Sequence, residues 1–187
     1  MPDKEKYGHG RHGRRSIRLK DYDYSQRGAY FVTICAKDRQ CVFGEIMDGE
    51  VRLNEIGVII RDQWVRSAEV REEIHADEFV IMPNHLHGII FIGDNPVGAT
   101  GGRPLSPKGR IASGPGKYSL AAFIAGFKSA CSRSINQSLG TRRINMWQRN
   151  YYEHIIRNER SLNAIREYIL NNPNRWSDDP ENPESFR

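Results

Sequence analysis

Two strand-like segments, residues 77–82 and 85–92, are separated by a Pro-Asn dipeptide and are apolar over 79–82 and 89–92, and they limit the possible folds more than any other part of the sequence. Proline and asparagine interrupt strands and favour turns, so this stretch predicts a β-hairpin. The second segment carries His85 and His87, and side chains two residues apart share one face of a strand, with Cα atoms roughly 7 Å apart. The two imidazoles therefore point the same way and could chelate a metal ion. Two ordinary buried histidines would give the same pattern, so the metal interpretation depends on the rest of the chain.

The remaining apolar segments predict the order of elements around this hairpin. Strand and helix periodicities indicate a strand at 29–36, a helix at 54–65, a helix at 119–138, a strand at 152–156 and a helix at 161–172. The order β-α-β-β-α-β, followed by a C-terminal helix, is typical of an α+β fold with a ferredoxin-like antiparallel sheet and helices on one face.

Charge and composition divide the 187 residues into an arm, a domain and a tail. Residues 1–20 hold seven Lys or Arg side chains against two acids, which accounts for the whole net charge of +5. We expect a flexible basic arm that contacts nucleic acid, although a solvated tail that aids solubility would look the same. A single domain is expected over 21–176, with a mobile glycine- and proline-rich loop at 93–117 and an acidic tail at 177–187.

Basic side chains are the candidate DNA contacts, because Lys and Arg neutralise phosphates. The arm contributes Arg11, Arg14, Arg15 and Arg18. A second basic tract contributes Lys117 and Lys128, and Arg149 comes before the last predicted strand. Three cysteines without paired metal-ligand spacing favour reduced thiols. No apolar run has membrane-spanning length, and the N-terminus lacks an apolar signal core, so we expect a cytoplasmic protein.

The last predicted helix places a phenol and an amide on one stripe. Ser161 suits its N-cap, and Pro173 disfavours helical geometry at the residue before it, so the helix should end near Asn172. Tyr168 and Asn172 are then one turn apart on the face that packs inward, together with two isoleucines. A core tyrosine with its hydroxyl at the rim would also explain this stripe.

Three separated blocks of the sequence resemble the single-tyrosine HUH transposases, and within them the REP-associated tyrosine transposases. The blocks are His85-Leu86-His87 after Met82-Pro83-Asn84, Trp147-Gln148-Arg149 followed by Tyr152, His154, Ile156, Arg157 and Asn158, and Tyr168-Ile169-Leu170-Asn171-Asn172-Pro173. The resemblance covers roughly residues 15–176.

The resemblance implies metal-dependent cleavage of single-stranded DNA and strand transfer at palindromic, REP-like hairpins through a 5′-phosphotyrosine intermediate. It implies that the C-terminal helix carries the nucleophile, Tyr168, and that His85, His87 and Asn172 hold Mg²⁺ or Mn²⁺. The implied partner is single-stranded or hairpin DNA in a bacterial, nucleoid-associated setting, with monomer or homodimer left open.

Other interpretations remain open at this point. Tyr151 and Tyr152 are rival nucleophiles, although neither has the one-turn spacing to Asn172. An HUH nuclease or replication-initiator relative without efficient religation would share the covalent adduct. A domesticated hairpin-binding protein without catalysis would form no adduct. Religation products and adduct formation distinguish these classes.

Overall fold

The computed structural model describes residues 27–93, 118–141 and 144–185. In chain order the elements are β1 (Gly28–Cys35), β2 (Gly44–Met47), β3 (Glu50–Leu53), α1 (Glu55–Glu69), β4 (Ile74–Ile81), β5 (His85–Ile92), α2 (Leu120–Ser138), β6 (Tyr152–Ile156) and α3 (Glu159–Asn171). Short 3-10 segments lie at Lys37–Arg39 and Pro173–Asp178. The expected arm and the expected loop, apart from Gly93, lie outside the described residues.

The sheet has the strand order β4-β5-β1-β6, and every neighbouring pair is antiparallel. Strands β2 and β3 form a separate hairpin. This order, with a crossover helix after β1 and another after β5, confirms the α+β, ferredoxin-like fold and the C-terminal helix that the sequence predicts.

The sheet is covered on both faces because its strands are apolar on both sides. Tyr30 and Val32 of β1 are fully buried in the larger core, which contains α1 and α2. Ala29 and Phe31 point the other way, into a smaller cluster with Ile169 of α3. Helices α1 and α2 therefore share one face, as expected, whereas α3 packs on the opposite face. The two-residue period of β5 directs His85 and His87 to this α3 face.

Helix α3 begins earlier than the sequence predicts. The Asn158 side chain caps it by accepting a hydrogen bond from the backbone N–H of Ser161 at 2.8 Å, so Ser161 lies inside the first turn and is not the N-cap. Asparagine caps a helix as well as serine does, and the sequence offers both. The C-terminal end before Pro173 is as predicted.

The segment expected as an acidic tail is described through Ser185. Within it, Asp179 and Asn182 are buried. Among the described segments, no helix combines the length and apolar character that a membrane span requires.

A close contact between Gly88 and Trp64 predicts a large effect of substitution on stability. A Cβ at Gly88 would lie 2.6 Å from Trp64 Cζ2 and 3.3 Å from Phe79 Cβ. We expect Gly88→Ala to lower the free energy of unfolding in urea by about 1–3 kcal/mol, the usual cost of overpacking. Gly126→Ala is the control, since its Cβ would meet only the tip of the Arg71 side chain. Alanine is also a better helix former than glycine, and Gly126 lies within α2. Equal losses in both variants would contradict the prediction.

Candidate functional site

Strand β5 brings two buried imidazoles together on the α3 face. The ring centroids of His85 and His87 lie 4.3 Å apart. Both side chains are almost completely inaccessible to solvent. In the antiparallel pairing of β1 with β5, His85 lies opposite Cys35 and His87 lies opposite Thr33. The chelating geometry that the sequence predicts is therefore present.

His85 is oriented by the residue before it. The Asn84 amide nitrogen donates to the carbonyl oxygens of Arg39 at 3.0 Å and Glu181 at 2.7 Å, so its Oδ1 accepts from His85 Nδ1 at 2.8 Å. With the proton on Nδ1, the Nε2 atom carries a lone pair, and it has no hydrogen-bond partner among the described residues. Burial, and next the neighbouring His87, lower the pKa of His85 well below its usual value. The ring is thus a neutral, available ligand.

His87 is held between β1 and α3. Its Nδ1 lies 2.9 Å from Thr33 Oγ1, and its Nε2 lies 3.2 Å from the hydroxyl of Tyr168. The tautomer in which Nδ1 donates to Thr33 leaves Nε2 to accept from the phenol. Both Nε2 atoms of the histidine pair face Asp179, so a metal ion bound there would take the lone pair of His87 Nε2 in place of the phenol.

Asp179 completes the cluster from the C-terminal segment. Its Oδ2 lies 3.8 Å from His85 Nε2 and 3.9 Å from His87 Nε2, and one ligand atom from each of the three residues fits within 4.8 Å of the others. Burial alone would raise the pKa of Asp179, but hydrogen bonds that its carboxylate accepts from the Glu181 backbone N–H at 2.6 Å and from the Asn172 side chain lower it. The carboxylate is therefore ionised.

Sequence reasoning missed Asp179. It lies in an irregular segment without periodicity, and the only signal was the cluster of acids around it, which looked like a solvated tail. The structure instead anchors this segment through Glu181, whose carboxylate accepts from Arg39 Nε at 2.9 Å. Its neighbour Asn182 donates to the carbonyl oxygen of Trp176 at 2.9 Å.

Asn172, the metal ligand that the resemblance implies, contacts Asp179. Its Nδ2 donates to Asp179 Oδ2 at 3.0 Å, while its buried Oδ1 has no partner in the described part of the chain. Asn172 therefore orients the carboxylate and keeps one oxygen available.

The donor set suits a metal ion. Two imidazole nitrogens and a carboxylate oxygen, with an amide oxygen beside them, form a mixed set of the kind that divalent first-row metals accept. Two of these buried atoms, His85 Nε2 and Asn172 Oδ1, lack hydrogen-bond partners in the described chain. Buried polar atoms without partners are costly, and a cation held by the cluster would satisfy His85 Nε2. The His85, His87 and Asp179 cluster could hold such an ion.

Tyr168 lies at the border between this buried cluster and solvent. The side chain remains 39% exposed, and its ring meets the Phe31 ring edge-on at 6.0 Å between centroids. Burial of the hydroxyl end, and next the charge of Asp179, raise the pKa of Tyr168 to about 12. The sequence predicted an inward-facing tyrosine, whereas only its hydroxyl end faces inward.

An ion pair fixes α3, and with it Tyr168, against the sheet. Arg166 Nε donates to Asp77 Oδ2 at 3.1 Å, and the Nη2 atom of the same guanidinium contacts the same oxygen. Asp77 lies in the irregularity of β4 between Ala76 and Phe79. A bulge re-aims the side chain of a strand residue, and here it reaches the helix that carries the tyrosine.

The predicted DNA-binding residues are only partly described. Arg11, Arg14, Arg15, Arg18 and Lys117 lie outside the described residues. Lys128 Nζ donates to the carbonyl oxygens of Gln148 at 2.8 Å and Asn150 at 3.0 Å, and burial lowers its pKa to about 8. Lys128 thus holds the segment before β6, on which Arg149 is exposed.

The rival tyrosines occupy different environments. Tyr151 is half-buried against the larger core, with Lys128 Nζ 6.0 Å from its ring centroid. Tyr152 is exposed on β6. Tyr168 is the tyrosine whose hydroxyl hydrogen-bonds to a histidine of the cluster.

Comparisons with known proteins agree with this fold. No family model matches the chain. The fold is similar to the structure of a REP-associated tyrosine transposase bound to a REP hairpin, with a TM-score of 0.55 and 18% identity over 89% of this chain and 81% of that one. An uncharacterized protein of Haemophilus influenzae is 41% identical over 175 residues, which span 93% of this chain and 96% of that protein. The chain therefore belongs to the same family as this Haemophilus influenzae protein.

Proposed function

We propose that this protein is a metal-dependent DNA strand transferase of the single-tyrosine HUH type, in the REP-associated branch. It cleaves and rejoins single-stranded DNA at palindromic hairpins, with Tyr168 as the nucleophile. The observation that carries the proposal is the hydrogen bond of 3.2 Å between the Tyr168 hydroxyl and His87 Nε2. That histidine belongs to a buried cluster whose donor set suits a metal ion. The fold shared with a hairpin-bound transposase supports the same conclusion.

The cluster supplies the residues that a metal-dependent transesterification needs. His85, His87 and Asp179 would hold Mg²⁺ or Mn²⁺, and the free Asn172 Oδ1 is available to join them. When bound, a divalent cation supplies positive charge for the non-bridging oxygens of the scissile phosphate. The resemblance provided Asn172 as the third ligand, and we now assign that role to Asp179, because a carboxylate is the stronger ligand for these ions.

The phenol oxygen of Tyr168 attacks the phosphorus and breaks its bond to the 3′ oxygen. The products are a 5′-phosphotyrosine and a free 3′-hydroxyl. The phenol loses its proton as the new bond forms and the departing 3′ oxygen gains one, so the reaction has no net uptake or release of protons. One phosphodiester replaces another, so a second 3′-hydroxyl can attack the phosphotyrosine and reseal a strand without ATP.

The charged segments extend this proposal. We assign the arm at 1–20, Lys117 and Arg149 to the phosphate backbone, because basic side chains provide sequence-independent affinity. The protein then works on chromosomal DNA in the bacterial cytoplasm, and its single domain extends past the expected end at 176 to include Asp179 of the cluster.

A covalent-adduct assay tests the function. The full chain is incubated with Mn²⁺ and a labelled single-stranded oligonucleotide pool, in which a palindrome is flanked by randomised tetranucleotides. We expect a labelled band that survives denaturing electrophoresis, disappears with EDTA and is absent with fully duplex DNA. Joined products would indicate strand transfer, and adduct without them would indicate a nuclease. Hairpin binding without any adduct would contradict the proposed catalysis and leave a binding protein.

A further inference from the structure

A partly exposed aromatic surface includes the nucleophile, and its two other rings have no part in the mechanism above. It consists of Tyr152 on β6, Phe31 on β1 and the ring of Tyr168 on α3, and we call it the aromatic shelf. Phe31 lies in the middle, with its ring centroid 6.3 Å from that of Tyr152 and 6.0 Å from that of Tyr168. Tyr152 is 38% exposed and Tyr168 is 39% exposed. Two of the three rings are therefore partly open to solvent.

Strand register places the shelf on the same face as the histidine cluster. Tyr152 pairs with Thr33, whose hydroxyl contacts His87. Phe31 is two residues from Thr33 on β1, and its ring centroid lies 5.2 Å from that of His87. Because β6 is the last strand of the four-stranded sheet, the shelf runs from the reacting oxygen of Tyr168 to the edge of that sheet.

The charges around the shelf favour a polyanion. Arg149 and Arg157, both exposed, come before and directly after β6, and the exposed His154 lies between them. Glu153, the acid of this strand, is buried and points to the opposite face. Exposed cations thus flank both ends of β6, and the strand residues on the shelf face, Tyr152, His154 and Ile156, include no acid. This combination of stacking surfaces and basic side chains is the usual one for single-stranded nucleic acid.

We propose that the aromatic shelf stacks a nucleobase of the single-stranded flank next to the scissile phosphate, with Tyr152 as the stacking residue. This inference rests on the proposed function, which brings that phosphate to Tyr168. A base attached to the neighbouring nucleotide is one sugar away from the reacting phosphorus, and Phe31, which meets both tyrosine rings edge-on, fills the interval between them. Stacking uses the face of the base, so the shelf accepts any base and helps to position the phosphate.

Binding measurements on the full chain test the shelf. All proteins carry Tyr168→Phe to prevent cleavage, and the probe is a fluorescein-labelled hairpin oligonucleotide with a single-stranded flank. We expect Tyr152→Ala to weaken binding by about 5- to 150-fold, the usual range for the loss of one stacked base. Tyr152→Leu, which keeps an apolar side chain on the strand, should weaken it similarly, whereas Tyr152→Trp should retain affinity. Binding to a blunt hairpin without the flank should not change.

Tyr118→Ala is the matched control, because Tyr118 is 44% exposed and lies before α2. A 2-aminopurine scanned through the flank gives a second readout, since stacking quenches its fluorescence. One flank position should lose this quenching in Tyr152→Ala and Tyr152→Leu, but not in Tyr118→Ala.

The outcomes separate the shelf from the proposed function. Unchanged affinity and quenching in both Tyr152 variants, together with normal adduct formation by the wild-type protein, would overturn the shelf alone. Failure of the wild-type protein to form any adduct would overturn the proposed function. A change in oligomeric state of the Tyr152 variants without a change in flank binding would make the shelf a protein contact and also overturn the inference.

Discussion

Tyr168→Phe should abolish the covalent protein–DNA adduct and leave Mn²⁺ binding and hairpin affinity close to those of the wild-type protein. The substitution removes only the attacking oxygen, while the ring keeps its edge-on contact with Phe31. The lost hydrogen bond to His87 Nε2 is at the partly exposed border of the site, so we expect a stability change of about 1 kcal/mol or less. Denaturing electrophoresis measures the adduct, and titration calorimetry and fluorescence anisotropy measure the two affinities.

The rival tyrosines provide the control for this result. Tyr151→Phe should keep the adduct, because Tyr151 packs against the larger core and its ring lies near Lys128. Adduct formation by Tyr168→Phe at the wild-type rate would overturn the assignment of the nucleophile. The same test on Tyr151→Phe and Tyr152→Phe would then identify the tyrosine responsible.

His85→Ala should reduce the rate of cleavage by about 100-fold or more, although Tyr168 is intact. The variant removes a ligand whose Nε2 faces Asp179, and with it the electrostatic support for attack on the phosphate. Mn²⁺ affinity should fall in parallel, as measured by titration calorimetry. His87→Ala should behave similarly. Wild-type cleavage by His85→Ala without added metal would contradict the metal-dependent mechanism.

The two candidates for the third ligand make a matched pair within the same experiment. Asp179→Asn keeps the shape of the side chain but removes its charge, and it should weaken Mn²⁺ binding more than Asn172→Ala does. Water can replace a neutral amide at a metal, whereas nothing nearby replaces the carboxylate in the described chain. The reverse order of effects would return the role to Asn172.

Local patterns in the sequence predict the parts of the candidate site that lie within one strand or one helix. The two-residue period of a strand was enough to put His85 and His87 on one face, and both lie there. Proline at position 173 was enough to end α3 after Tyr168. The order of elements predicted the antiparallel sheet because the connections in this fold are short and follow few topologies. The first two features depend on backbone geometry within about ten residues.

The residue that completes the histidine cluster comes from a distant part of the sequence, and only the folded domain brings it there. Asp179 is more than ninety residues from His85 in sequence, and no periodicity marks it. It reaches the histidines because specific hydrogen bonds hold the irregular segment in a buried position. Asn172 donates to the Asp179 carboxylate, and Asn84 donates to the carbonyl oxygen of Glu181. Likewise, the packing of α3 on the opposite face from α1 and α2 made Phe31 a neighbour of Tyr168. Contacts of this kind follow from side-chain burial and hydrogen bonding in the folded domain, and local patterns do not encode them.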